Sequence, residues 1–333
     1  TMLFTDILFW TKRVSVKRIV IFLMAVTVST ELVYNAKLIM TLDGGVEHFT
    51  QYAEDEMKLI GQLQQQDGGF YRINQTSTRD VDGNKLTANY NEGIAYNYKS
   101  ISGYTSDPDR NQLLFMKQMG YAICGDVMNV VNTSVLGADS ILGVKYVLSS
   151  YDIPGLKKLE NIEPGNGKSV YYNPYALPVA FTYESSNMLP DSEEKDEFLY
   201  QNQLFSYLSG QNVQVNKRIE AEPKADSNTV GYDVKHMDDP VYGYFNMKDK
   251  DGGKVYVDDQ YVTLYNTWLC PRVVYIPQQP DAPSTHVHID GDNRENRVES
   301  ACFYYTDLNE LEKVTQKIQD RREDGLLIQD GSI

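Results

Sequence analysis

The stretch best equipped for chemistry is residues 87–106, TANYNEGIAYNYKSISGYTS. Tyrosines, asparagines, serines and glycines crowd together there, with Glu92 and Lys99 as the only acid and base. Aromatic faces stack on sugar rings, and amides and hydroxyls pair with sugar hydroxyls, so such a surface suits a hydroxyl-rich ligand. Asn89, Asn91, Tyr98, Ser102 and Tyr104 are the candidate ligand-binding residues. The competing reading is a tyrosine-rich loop that packs on its own domain. Arg72, inside the apolar FYRIN, is a sixth candidate. Its guanidinium could grip a phosphate bidentately or hold a nearby carboxylate such as Glu92 or Asp107.

Other chemistry is less well supported. THVHIDGDNREN sets His286 and His288 on one face of a strand, ahead of Asp290 and Asp292. That alternation could ligate a divalent metal, but a polar hairpin accounts for it better, and no metal site is assigned. KDKDGGK and DVDGNK lack the glutamate that closes a calcium loop and read as turns. G-x-S-x-G, HExxH and a phosphate-cradling glycine loop are absent from the sequence. Asp and Glu are plentiful, yet no catalytic carboxylate pair stands out, so the catalytic residue is unassigned.

The chain has 333 residues and a formal net charge of -15. Nucleic acid is therefore excluded as a partner, because phosphate binding needs clustered Lys and Arg. Cys124, Cys270 and Cys302 form no CxxC, and an odd, sparse set argues against a disulfide scaffold. Cys270 and Cys302 could still pair in an oxidising compartment.

These residues must be positioned by elements of two kinds. TKRVSVKR, with Lys12, Arg13, Lys17 and Arg18, precedes IVIFLMAVTVSTELVYNAKLIM. Residues 19–40 form a helix of about 33 Å at 1.5 Å per residue, enough to cross a bilayer core. Glu31, Asn35 and Lys37 weaken its second half. A signal peptide and a buried hairpin of a soluble protein are the alternatives. The apolar TMLFTDILFW before the basic cluster suggests the end of another membrane helix, and so a piece of a polytopic protein. The positive-inside rule keeps residues 1–18 cytoplasmic and places everything after about Leu42 outside the cytoplasm.

Beyond the membrane segment the expectation is a mixed α/β fold. Residues 42–210 form an α/β domain, with helices near 46–63, 109–119 and 196–208 packed on a mixed sheet that contains FYRI and VKYVLSS. In the first helix Val46, Phe49, Ala53, Met57, Ile60 and Leu63 recur at three- and four-residue steps. Residues 211–333 form a sheet-rich continuation that ends in an amphipathic helix bearing Leu308, Leu311, Val314 and Ile318.

The ordered set FYRI, NYNEGIAYNYKSISGYTS, ADSILGVKYVLSS, YYNPYALPVAF and YTDLNELEKVTQKIQ resembles the bacterial YfhO membrane-protein family. STELVYNAK fits the membrane helix before that family's extracellular part, and the resemblance covers most of residues 19–330. It implies a GT-C-type glycosyltransferase that moves sugar from a polyprenyl-phosphate donor to a teichoic-acid-type envelope polymer, without a cofactor. The implied partners are membrane lipid, carbohydrate and that envelope glycopolymer. The family's catalytic carboxylate is expected in a first extracellular loop upstream of Thr1. A membrane-tethered carbohydrate-binding or adhesion module is the alternative.

Overall fold

The computed structural model describes residues 10–42, 46–76, 91–124, 128–130, 133–183, 190, 194, 196–225, 230–247, 253–265, 273–291 and 298–320. The chain divides into two compact units, Thr1–Glu54 and Asp55–Ile333.

The first unit is dominated by α1 (Val14–Leu42), 29 residues without a break. Its segment Val14–Ile39 is long and apolar enough to cross a membrane. Ile19, Phe22, Leu32 and Val33 are exposed along its length, as suits a helix solvated by lipid. Thr27 and Thr30 donate their hydroxyls to the carbonyls of Leu23 and Val26, at 2.9 and 2.8 Å. Those bonds satisfy the two polar side chains inside the helix itself, which a hydrocarbon environment requires. The helix runs five residues earlier and two later than the apolar run.

A second helix, α2 (Val46–Gln66), carries the chain from the first unit into the second. Within the second unit its buried positions are Glu56, Leu59, Ile60 and Leu63, while Met57 is 52% exposed. The apolar spacing in the sequence placed Met57 inward. The buried stripe instead passes through Glu56, because a lysine waits for it in the core.

The second unit begins with a mixed four-stranded sheet in the order β1 (Arg72–Gln75), β5 (Val144–Ser149), β7 (Ser169–Tyr172), β6 (Lys157–Lys158). β1 and β5 are parallel, and the other pairs are antiparallel. The connection between β1 and β5 includes α3 (Glu92–Ala95), α4 (Arg110–Gln118) and α5 (Leu136–Ile141). It also contributes a small sheet of β2 (Gly103–Tyr104), β4 (Met128–Val130) and β3 (Ala122–Cys124). Asp109 caps α4 by accepting from the backbone N–H groups of Asn111 and Gln112. VKYVLSS supplies β5 from Val144, while the apolar residues just before it belong elsewhere: Ile141 ends α5 and Gly143 turns at φ 69°.

The sheet-rich remainder follows α6 (Glu197–Ser209), which Asp196 caps and Gly210 ends at φ 66°. One sheet has the order β14 (Val273–Ile276), β11 (Val241–Met247), β16 (Val298–Thr306), β8 (Asn216–Ile219). The other has the order β13 (Gln260–Tyr265), β12 (Gly253–Val257), β15 (Ser284–Gly291), β10 (Val230–Lys235), β9 (Ala221–Ala225). All their pairings are antiparallel.

Alternation along these strands makes a sandwich. Val234, Val255, Val287 and Ile289 of the five-stranded sheet meet Val241, Phe245, Val274 and Phe303 of the four-stranded one. The other face of that four-stranded sheet presents Tyr242, Val273, Tyr275 and Tyr304 to a cluster with Phe198, Val135, Val144 and Val147. That cluster draws on residues both before and after position 210, so it ties the sandwich to the mixed sheet. The last helix, α7 (Leu308–Asp320), buries Leu311, Val314 and Ile318 against Phe205 and Leu208 of α6. The whole is a mixed α/β protein with a strand-rich C-terminal part.

Candidate functional site

The tyrosine- and asparagine-rich segment lies against β1, and its candidate residues divide into inward and outward groups. Tyr98 is inward: it is 7% exposed and packs with Leu59, Ile73 and Leu148. Its hydroxyl accepts from Gln75 Nε2 at 2.7 Å. Ser102 is buried as well. Asn91 adopts the left-handed backbone conformation at φ 52°, one residue before α3. Its Oδ1 accepts from the Tyr104 backbone N–H at 2.9 Å, and its Nδ2 donates to the Tyr104 carbonyl at 3.1 Å. The asparagine thus imitates a strand partner for Tyr104. Tyr104 is outward, 47% exposed. Asn89 lies outside the described residues. The segment therefore offers solvent Tyr104 and part of Asn91, while Tyr98 and Ser102 face the protein.

Arg72 is half-buried, and its Nη1 donates to the Leu142 carbonyl at 2.5 Å. Leu142 is the C-cap of α5, so the guanidinium sits where a helix terminus presents unpaired carbonyls and negative dipole. Burial lowers its pKa from the ordinary arginine value. Neither Glu92 nor Asp107 is the partner; the charge serves a helix end.

Two buried polar clusters flank β1, and no motif in the sequence singled out either. Alternation sends Gln75 to one face and Asn74 to the other. On the Gln75 face, Glu56 and Lys168 form an ion pair at 2.8 Å with both side chains almost wholly buried. Lys168 also donates to Gln75 Oε1 at 2.5 Å, and Asn166 donates to Glu56 Oε2 at 2.8 Å. Gln75 Nε2 reaches Glu56, Glu92 and Tyr98. The pair joins α2 to the turn before β7. A weaker signal existed, because Glu56 falls on the same helical face as Leu59, Ile60 and Leu63.

On the other face Asp139 is fully buried and accepts from Tyr121 Oη at 2.5 Å, Ser134 Oγ at 2.5 Å and Asn74 Nδ2 at 2.9 Å. Burial raises its carboxyl to about 6, against the three donors, which favour the charged form. Burial likewise pushes the Tyr121 hydroxyl well above its ordinary value and Tyr151 up to about 12. This cluster is shut off from solvent and fastens α5 to the sheet.

His286 and His288 project from the outward face of the five-stranded sheet, as their alternation implied. Their ring centroids are 5.6 Å apart. His286 Nδ1 is 2.8 Å from Asp233 Oδ1, and Asp233 also pairs with Lys224. Among the described residues no group of three or more His, Cys, Asp or Glu side chains is placed to hold a metal ion. Cys302 is a free thiol beside the Arg218 guanidinium; the side chains of Cys124 and Cys270 lie outside the described residues.

A membrane-length helix followed by an α/β unit with a β-sandwich defines a membrane-associated protein bearing a large folded portion. The chain belongs to the YfhO family: the family model described as bacterial membrane protein YfhO matches residues 1–322. No curated protein and no solved structure matches it.

Proposed function

We propose that this chain is the extracytoplasmic part, with one transmembrane helix, of a polytopic membrane glycosyltransferase. The enzyme would take a sugar from a polyprenyl-phosphate donor and place it on an envelope polymer such as lipoteichoic or wall teichoic acid. The observation that carries this reading is the family match along residues 1–322, which spans both the membrane-length helix and the folded portion. The Lys12–Arg18 cluster, which runs into the first turns of α1, supports the orientation, since short basic segments stay cytoplasmic.

On this reading the folded portion holds the acceptor polymer near the membrane. The exposed Tyr104 and the half-buried Asn91 remain the candidate ligand contacts of the tyrosine-rich segment, with Ser102 and Tyr98 as the support behind them. Arg72 holds a helix end and shapes the surface indirectly.

Reconstitution tests the proposal. The full-length enzyme in lipid nanodiscs should transfer sugar from a polyprenyl-phosphate donor to purified teichoic acid. Transfer that is absent with every donor tried, while the protein binds the polymer, would favour the alternative of a non-catalytic carbohydrate-binding module.

A further inference from the structure

The outward face of the five-stranded sheet carries a row of rings that the fold does not need for its core. Register sets Tyr256 on β12 opposite Tyr261 on β13 and opposite His288 on β15, and His288 opposite Gly231 on β10. Neighbouring strands lie about 4.8 Å apart, so residues opposite one another form a line across the sheet. Tyr256 and His288 are parallel, with centroids 5.0 Å apart and planes 7° from each other. Tyr261 meets Tyr256 edge-on at 6.0 Å, and His286 continues the line beyond His288.

The line is open to solvent at both ends. Tyr261 is 36% exposed and the His286 side chain 39%. At Gly231 a Cβ would come within 2.5 Å of His286 Cε1, so the imidazole lies down across the space a side chain would fill. Its Nδ1 is then held by Asp233, which Lys224 also holds, leaving carboxylate, ammonium and imidazole grouped beside the rings.

Charge narrows the occupant. In a chain of net charge -15, this face mixes Lys224, Lys235 and Lys254 with Glu222, Asp233, Asp290 and Asp258, whose Oδ1 accepts from the His286 backbone N–H. A face of mixed charge with acids in slight excess, ring surfaces and fixed hydrogen-bonding groups does not match a nucleic acid. It matches a neutral polyhydroxylated chain, whose C–H groups pack on the exposed Tyr261 ring and along the edges of the stacked Tyr256–His288 pair and whose hydroxyls pair with Asp233 and Lys224. A row crossing three strands, rather than a single ring, fits consecutive sugar units.

We propose that the Tyr261–Tyr256–His288–His286 row is a binding site for a glycan chain of pyranose units, with Asp233 and Lys224 as its polar contacts. The proposal goes beyond the glycosyltransferase reading, because a pyranose chain is not the polyol-phosphate acceptor named there, and the binding is measurable without any transfer. Maltopentaose and chitopentaose, titrated by calorimetry into the full 333-residue chain in detergent, are the probes. At least one should bind saturably, and Tyr256→Ala or Tyr261→Ala should each weaken it about tenfold. Tyr261→Trp, which enlarges the ring at the exposed end, should bind at least as tightly as the parent. If both alanine variants bind like the parent, or neither sugar binds the parent at millimolar concentration, the site is overturned. Sugar transfer by the full-length enzyme is read in a separate assay, so a failed site and a failed glycosyltransferase reading give different results.

Discussion

Tyr98 and Tyr104 sit six residues apart in the same segment and face opposite ways, which gives them opposite expected phenotypes. Tyr98→Ala removes a ring packed on Leu59, Ile73 and Leu148 and leaves Gln75 short of a partner. Loss of a buried aromatic costs about 3–5 kcal/mol, so its melting temperature should fall by roughly 10 °C. Tyr104→Ala should stay within about 0.5 kcal/mol, and any loss of polymer glycosylation per mole of protein at that site would then report ligand contact. The ion pair behaves differently again. Lys168→Met strands Glu56 in the core and should cost about 3–5 kcal/mol. Adding Glu56→Leu should recover most of that in urea melts, because both charges are then gone. Asp139 supplies a pH signature. Its folded-state carboxyl is held near 6, above the 3.8 of an unfolded chain, so the folded state binds the proton more tightly. The associated stability is complete below pH 3.8 and is lost as pH rises through 6. Against Asp139→Asn as reference, the parent should gain up to ~3 kcal/mol between about pH 7.5 and 4, at ~1.4 kcal/mol for each tenfold difference in proton affinity between the folded and unfolded chain. A difference that does not change with pH would remove Asp139 as the titrating group.

At the scale of elements, what the sequence made legible followed from periodicity and punctuation. The helices at Arg110–Gln118, Glu197–Ser209 and Leu308–Asp320 stand where apolar spacing marked them. The membership of β1 and β5 in one mixed sheet was also readable, since the apolar run of β5 marks a strand covered on both faces. What escaped was decided by tertiary partners. Glu56 turns inward only because Lys168, 112 residues away, meets it. Ile141 and Leu142 look like strand residues and end a helix instead, with Arg72 closing that end. The candidate ligand residues were chosen by type, and type could not say that Tyr98 points in and Tyr104 points out. Gly155 is a further case: at φ 87° its missing Cβ would lie 2.6 Å from Leu308 Cδ2, where α7 begins. Gly155→Ala should therefore loosen the seat of α7 and lower the melting temperature by several degrees. A melting temperature equal to the parent's would show that α7 docks without that close approach.

At the scale of the whole molecule, the account depends on which side of the membrane the folded portion occupies. The helix Val14–Leu42 has the length to cross, and the basic cluster lies on its N-terminal side. Everything proposed about acceptor polymers and lipid-linked donors requires the sandwich to face away from the cytoplasm. The most direct measurement is accessibility of a single cysteine at Asp281, an exposed residue of the loop before β15, in the full-length protein with every native cysteine, Cys124, Cys270 and Cys302 among them, replaced by serine. In intact cells, a membrane-impermeant maleimide should label Asp281→Cys as fully as it does after the membrane is permeabilised. Labelling that appears only after permeabilisation would put the folded portion in the cytoplasm and contradict the account.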